Sequence, residues 1–446
     1  MLRPGAYPQA GWTGGMAAGG RWSESAAGVD MASADPRRVS SGPLHTLGYA
    51  LLALVIFFTC FTFMKPSPYD FLALPTIALW FLLGIRLYRS TILIVALLLI
   101  YLMAIVIALI PYFDESNSVE WTYQAVYLGL TGIFFVMFFS DETSERVGFV
   151  LKAYLAGALF AAICGIFSYF DVLGEDVLFK MDGRASGVFQ DPNLLGSFLI
   201  LSVLYLIRRM LVGETQRVFL SAMALLALLA CVFLSFSRGS WGACLLGILL
   251  TISLTFVTSP SRAVRQRIAR LSALAVLVGA LLIGGLLSME GVSERFTDRA
   301  QVTKDYDEGE TGRFGNQRRG IPMLIDRPLG FGPLRWRVVF DLEPHNSYIG
   351  GFANGGWLGG FAFVSMVLTS IFVGFRLCLK PSPYQGLAQI VFPALLMFFL
   401  QAFQIDIEKW RHVYMMLGMV WGLEAARVRW LIQQRATTGI LDRGRP

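Results

Sequence analysis

His345 is one of only three histidines in a chain of 446 residues, and it opens the stretch HNSYIGGFANGGWLGG. Asn346 and Ser347 behind it can each cap the apolar helix that follows. The positive end of such a helix disfavours imidazolium, and a neutral imidazole can take a proton from a hydroxyl. The competing reading is a surface histidine with no chemical task. Three arginines raise the same choice. Arg238, in FSFSRGSWG, stands between two apolar segments with almost no loop around it. It either snorkels at the end of a helix or presents a fork to phosphate oxygens, since guanidinium stays charged and binds them bidentately. Arg184, in DGRASGVFQDPNLLGS, precedes a helix that Asp191 would cap and Pro192 would start. A helix N-terminus beside an arginine allows an anion site, and a solvated loop charge is the alternative. Arg313, in TGRFGNQRRG, is clustered with Arg318 and Arg319, and those two read best as a solvated face.

The glycines after His345 have a simpler account. Gly351, Gly355 and Gly359 recur every four residues, as do Gly356 and Gly360. Small residues at that spacing let a neighbouring helix backbone approach closely, so they are read as a packing surface.

The elements that must position these residues are set by hydrophobicity. The chain is 55% hydrophobic and 15% charged, where soluble domains average about 45–50% and about 25%. The excess falls in blocks of the length a bilayer requires, roughly 20 residues. The fold class is an all-α polytopic membrane protein with about twelve transmembrane helices. They are expected at roughly 47–64, 70–86, 91–112, 121–139, 148–170, 192–207, 218–236, 239–258, 271–288, 346–372, 386–404 and 412–426. With the N-terminus inside, most Lys and Arg outside one long loop fall on inside segments, which places both termini in the cytoplasm. His345, Arg238, Arg184 and Arg313 then share the outer face.

Residues 1–46, rich in Gly, Ala and Ser without an apolar signal core, read as a disordered cytoplasmic tail, and 427–446 as a second cytoplasmic tail. Between them lie the membrane region over 47–288, a long outer loop over 289–345, and the last three helices over 346–426. That loop begins acidic, with Glu290, Glu294 and Asp298, and becomes basic from Arg313. Phe314, Ile321, Met323, Leu324 and Ile325 allow an amphipathic helix there, against which Gly315, Gly320 and Pro322 argue. Glu424, near the end of the last segment, is close enough to the inner face to snorkel. The five cysteines are scattered singly through apolar segments, which suggests neither disulfides nor a zinc site. The net charge of +7 sits in short loops, a distribution that sets orientation and does not point to nucleic acid.

Together these features resemble the O-antigen ligase and O-antigen polymerase family of bacterial envelope glycosyltransferases. The resemblance rests on His345–Asn346, nine residues, then Gly356 and Gly359, the HN-x9-G-x-x-G pattern of the ligases. SRG at 237–239, TGR at 311–313, DRPLGFGP at 326–333 and GVFQDPNLLGSFL before the sixth span add to it. The chain departs from the family in lacking a tryptophan shortly after Arg313. The resemblance implies a C-type glycosyltransferase-like fold with one long periplasmic loop. It also implies transfer of a glycan from an undecaprenyl-diphosphate carrier, without metal or cofactor, at the periplasmic face of the inner membrane. His345 matches the essential histidine, and Arg238 and Arg313 match the two arginines that would meet the diphosphate. Arg184, Asn346, Arg318 and Arg319 are possible supporting residues.

A ligase would deliver the glycan to lipid A-core, and a polymerase would deliver it to another lipid-linked unit, including an exopolysaccharide unit. The HN-x9-G-x-x-G match tilts the reading towards ligase. A twelve-helix transporter of lipid-linked glycans is the reading from another class. It would call for paired halves and ionisable residues at the midplane, neither of which stands out here.

Overall fold

A bilayer offers no water to backbone polar groups, so apolar segments of this length fold as helices that satisfy themselves. The computed structural model describes residues 42–62, 66–174, 178–300 and 309–443. The expected N-terminal tail lies outside the described residues as far as residue 41. The chain continues through α1 (Pro43–Phe57), α2 (Pro68–Leu82), α3 (Ile92–Leu109), α4 (Ser116–Phe138) and α5 (Thr143–Tyr169). After a hairpin of β1 (Phe179–Met181) and β2 (Arg184–Gly187) come α6 (Pro192–Phe198), α7 (Ile200–Val212), α8 (Val218–Leu234), α9 (Arg238–Thr258) and α10 (Arg262–Leu287). Then follow α11 (Glu290–Ala300), α12 (Arg313–Ile325), α13 (Trp336–Phe340), α14 (Ser347–Leu379), α15 (Gln385–Gln401) and α16 (Arg411–Arg443).

Among the described residues, eight helices are long and apolar enough to cross a membrane, α6 and α7 counting as one span. Three of the expected segments form shorter apolar helices, α2, α8 and α15. The last expected segment lies on α16, which runs on through Arg443. The core forms where α3 packs on α14, α4 on α16 and α9 on α15. Gly418 and Gly422 on α16 show why two of these backbones can meet. A side chain at either would come within 2.5 Å of the Cβ of Phe135 or Phe139 on α4. On α10, by contrast, only Ile268 is buried, which leaves its leucines for lipid.

Two expectations need correction. Glu424 does not snorkel: it is 2% exposed and receives Arg376 from α14 and Arg427 from its own helix. A carboxylate removed from water is tolerated when countercharges and hydrogen bonds reach it, and two long arginines supply both. The glycine-rich run is also not one uniform packing helix. Gly355 and Gly359 do face Ile105 and Ala104 on α3. Gly356, however, has φ 63° and ψ −162° and breaks the helix. A side chain on Gly351 would lie 3.5 Å from the Cα of Gly360, whereas nine residues of straight helix separate two positions by about 13 Å. Residues 347–355 therefore form a half-helix that doubles back on the rest of α14.

The DRPLGFGP segment fills that corner. Trp357 N donates to Pro328 O at 2.9 Å, while Phe331 N and Gly332 N donate to Ala353 O at 2.8 and 3.1 Å. Backbone groups released by the break thus find partners in the loop, as burial demands. The described parts of the loop over 289–345 are largely helical, in α11, α12 and α13. Gly320 does not interrupt α12 but lets it lie against the buried Trp336, whose ring a side chain there would strike at 2.1 Å.

Candidate active site

Three stretches distant in sequence converge on residues 401–408, between α15 and α16. Arg238 begins α9, whose N-cap Ser237 accepts from Ser240 N. A side chain on the adjacent Gly239 would sit 3.9 Å from Oε1 of both Gln401 and Gln404. Arg313 begins α12 and donates from Nη1 to Gln404 O at 3.2 Å. His345 precedes α14, and its Nδ1 lies 3.5 Å from Asp406 Oδ2. Each of these three residues thus stands at or beside a helix N-terminus, where the macrodipole and unpaired N–H groups favour negative charge. Arg238 and Arg313 are half-buried and the His345 side chain is 43% exposed.

The histidine is held firmly. Its φ of 45° is left-handed, a conformation that non-glycine residues adopt only when their surroundings impose it. On one side, Gln317 from α12 donates to Pro344 O at 2.7 Å. On the other, Asn346 caps α14 by accepting from Tyr348 N and Ile349 N at 3.0 and 3.1 Å. The Asn346 backbone N–H donates to Asp406 Oδ1 at 3.1 Å, and its amide donates to Phe403 O. Ser347 Oγ accepts from Ile407 N and donates to Glu408 Oε2, each at 2.7 Å. Asn346, singled out as a supporting residue, acts as the cap and as the tie to this segment.

Asp406 and Glu408 went unnoticed in the sequence reading. The signal is present in QIDIEKWRH, two acids in a short loop between apolar segments, but nothing local shows that they meet His345. Burial, with Glu408 and Glu343 nearby, pushes the Asp406 carboxyl well above the usual carboxylate range. Burial likewise raises Glu408 and Glu343. A raised carboxyl stabilises the fold fully below its unfolded value of about 3.9–4.3, and that stability is lost as pH rises through the folded value. Amide exchange in residues 402–410, corrected for intrinsic rate, is therefore expected to be slower at about pH 5 than at about pH 8. Asp406→Asn is expected to reduce the difference, as exchange mass spectrometry would show.

The remaining arginines take other roles. Arg184 is 6% exposed, neither a solvated charge nor an open anion site. It donates to Ser235 O and Asn193 Oδ1, both at 2.8 Å, and so ties the hairpin to the turn before Arg238 and to α6. Ser240 extends this network to Asn193 O, and Ser197 Oγ donates to Gln401. The Asp182–Gly183 turn that delivers Arg184 carries a readable Asp-Gly hairpin signal. Arg319 donates to Asn316 and lies over Phe340, and Arg318 is exposed further along α12. The convergence does not include them. Among the described residues, no group of His, Cys, Asp and Glu is arranged to hold a metal ion.

No curated protein matches the chain. Residues 222–364 match the family model described as O-antigen ligase. That span contains Arg238, Arg313, His345 and the corner at Gly356, and the family's members are glycan-transferring enzymes. Over residues 222–364 the chain is thus similar to the O-antigen ligase family, within a protein whose described residues hold eight helices long and apolar enough to cross a membrane.

Proposed function

We propose that the protein transfers a glycan from undecaprenyl diphosphate to a hydroxyl of an acceptor glycan, at the periplasmic face of the inner membrane. The observation that carries this reading is the convergence of the segments bearing Arg238, Arg313 and His345 on residues 401–406. Two guanidiniums and helix N-termini form a setting for a diphosphate, and the histidine beside them can serve as base. The acceptor oxygen attacks the anomeric carbon as the bond to the diphosphate oxygen breaks. The bonding pair leaves with the diphosphate, whose growing charge Arg238 and Arg313 offset. The acceptor proton passes to His345 Nε2, while Asp406 faces Nδ1 and orients the ring. In either protonation state Asp406 keeps an oxygen that can accept Nδ1–H. A single displacement inverts the anomeric centre, and no step calls for a metal.

The donor's apolar tail has a place to lie. A groove of about 490 Å³ between α12 and the half-helix of α14 is lined by Ile321, Leu324, Ile349, Phe352, Trp357 and Phe361. The ligase reading is favoured because His345, Asn346, Gly356 and Gly359 supply the HN-x9-G-x-x-G pattern in full.

The test uses purified protein in nanodiscs with a lipid-linked repeat unit, alone or with lipid A-core. A ligase forms product only when lipid A-core is present, and a polymerase lengthens the lipid-linked unit by itself. Either activity should survive EDTA. Arg238→Lys is expected to lower transfer by roughly tenfold or more, because a point charge replaces a bidentate fork. Full activity in that variant would return Arg238 to a snorkelling role.

A further inference from the structure

A cavity of about 520 Å³ lies beside the convergence and has no part in the chemistry above. The segment that meets Arg313 and His345 continues into Lys409 and Trp410, which line it. Asp191, two residues before the Asn193 that binds Arg184, lines it from the α6 side. Its remaining walls come from Thr59, Thr62 and Pro66 between α1 and α2, and from α2, α4 and the start of α16.

Three residues that line the cavity, Thr62, Tyr127 and His412, each carry a buried polar atom with no hydrogen-bond partner within the protein: Oγ1, OH and Nε2. Buried polar groups are almost always satisfied, so such a cluster around one cavity points to a ligand rich in hydrogen-bonding groups. Charge narrows the class. Asp70, Glu120 and Asp191 face Lys409 and Arg411, and Arg411 is already paired to Asp70 at 2.8 Å. A phosphate would find no excess of positive charge here, in contrast to the Arg238 and Arg313 site. The ring of Tyr123, 66% exposed, offers an apolar face at the rim. Polar contacts fixed around aromatic surface, in a volume within the usual range for ligand sites, suit a sugar ring.

We infer that this cavity binds the acceptor as an uncharged saccharide, a few residues along the chain from the Asp406 that faces the proposed base His345. The inference rests on the glycan-transfer reading for the word acceptor, and on the cavity itself for the word saccharide. Tyr127→Phe is the sharpest probe, because it deletes a hydroxyl that no protein group uses and costs the fold little. Tyr123→Ala removes the exposed ring.

Full-length protein in nanodiscs is titrated with two probes, the repeat-unit oligosaccharide freed from its carrier and dephosphorylated core oligosaccharide, with binding read by saturation-transfer NMR. At least one is expected to bind, and each variant is expected to weaken it by about fivefold or more. In transfer assays the same variants should raise KM for the acceptor and leave kcat and the donor KM unchanged. His345→Ala should bind the saccharide as the wild type does. If that variant also transfers normally, the proposed reaction fails while the saccharide site stands. Wild-type affinity in both tyrosine variants, or binding of neither probe, overturns the site.

Discussion

Replacing His345 with alanine is expected to lower glycan transfer by about 10²–10⁴-fold, the usual contribution of a positioned general base. The loss should fall on kcat, because in the proposed mechanism the histidine acts on a proton in flight and the diphosphate is met by Arg238 and Arg313. Folding should survive. The cap on α14 and the ties to residues 402–408 come from Asn346 and Ser347, not from the imidazole. His345 does occupy a left-handed backbone position, so alanine adds strain of its own. His345→Asn separates the two effects, because asparagine tolerates that conformation and cannot serve as the base. Both variants should be equally inactive. If Asp406 acts through His345, Asp406→Ala lowers activity alone but adds nothing in the His345→Ala background.

The largest structural effect is expected at Gly356. Its φ of 63° with ψ of −162° lies in a region open essentially to glycine alone, which costs other residues about 1–3 kcal/mol. An alanine Cβ would also lie 2.1 Å from Pro328 O, a backbone atom of the loop that fills the corner. That loop cannot yield cheaply, because Phe331 N and Gly332 N bond Ala353 O and Trp357 N bonds Pro328 O. Gly356→Ala should therefore give little monodisperse protein in detergent, or a melting temperature many degrees lower. Gly355→Ala is the control. Its Cβ would meet Ile105 at 3.4 Å, ordinary contact on a regular helix, and it should remain folded and active. Equal behaviour of the two would contradict the corner.

The corner also explains what the sequence could and could not show. Apolar blocks of bilayer length make the helices legible, because a single segment satisfies its own backbone in lipid only as a helix. His345, Arg238 and Arg313 were legible as candidates from their types and places. The nine residues between Asn346 and Gly356 are the half-helix 347–355, so the motif's spacing is a length. Spacing alone could not reveal that, since glycines four apart look the same in a straight helix and in a folded one. Arg184 shows a second limit. A loop arginine reads as solvated until the network at Ser235 and Asn193 closes around it. Asp406 shows a third, because its meaning comes from a contact with a residue 61 positions earlier in the chain.

The central claim is that His345, Arg238 and Arg313 act together on one diphosphate-linked glycan. Release of undecaprenyl diphosphate, measured with purified protein and a lipid-linked glycan before and after adding acceptor, tests it most directly. Wild type should release the carrier in step with acceptor glycosylation, and the His345→Asn, Arg238→Lys and Arg313→Lys variants should each be defective in both. Undiminished, acceptor-coupled release by the His345→Asn protein would contradict the account.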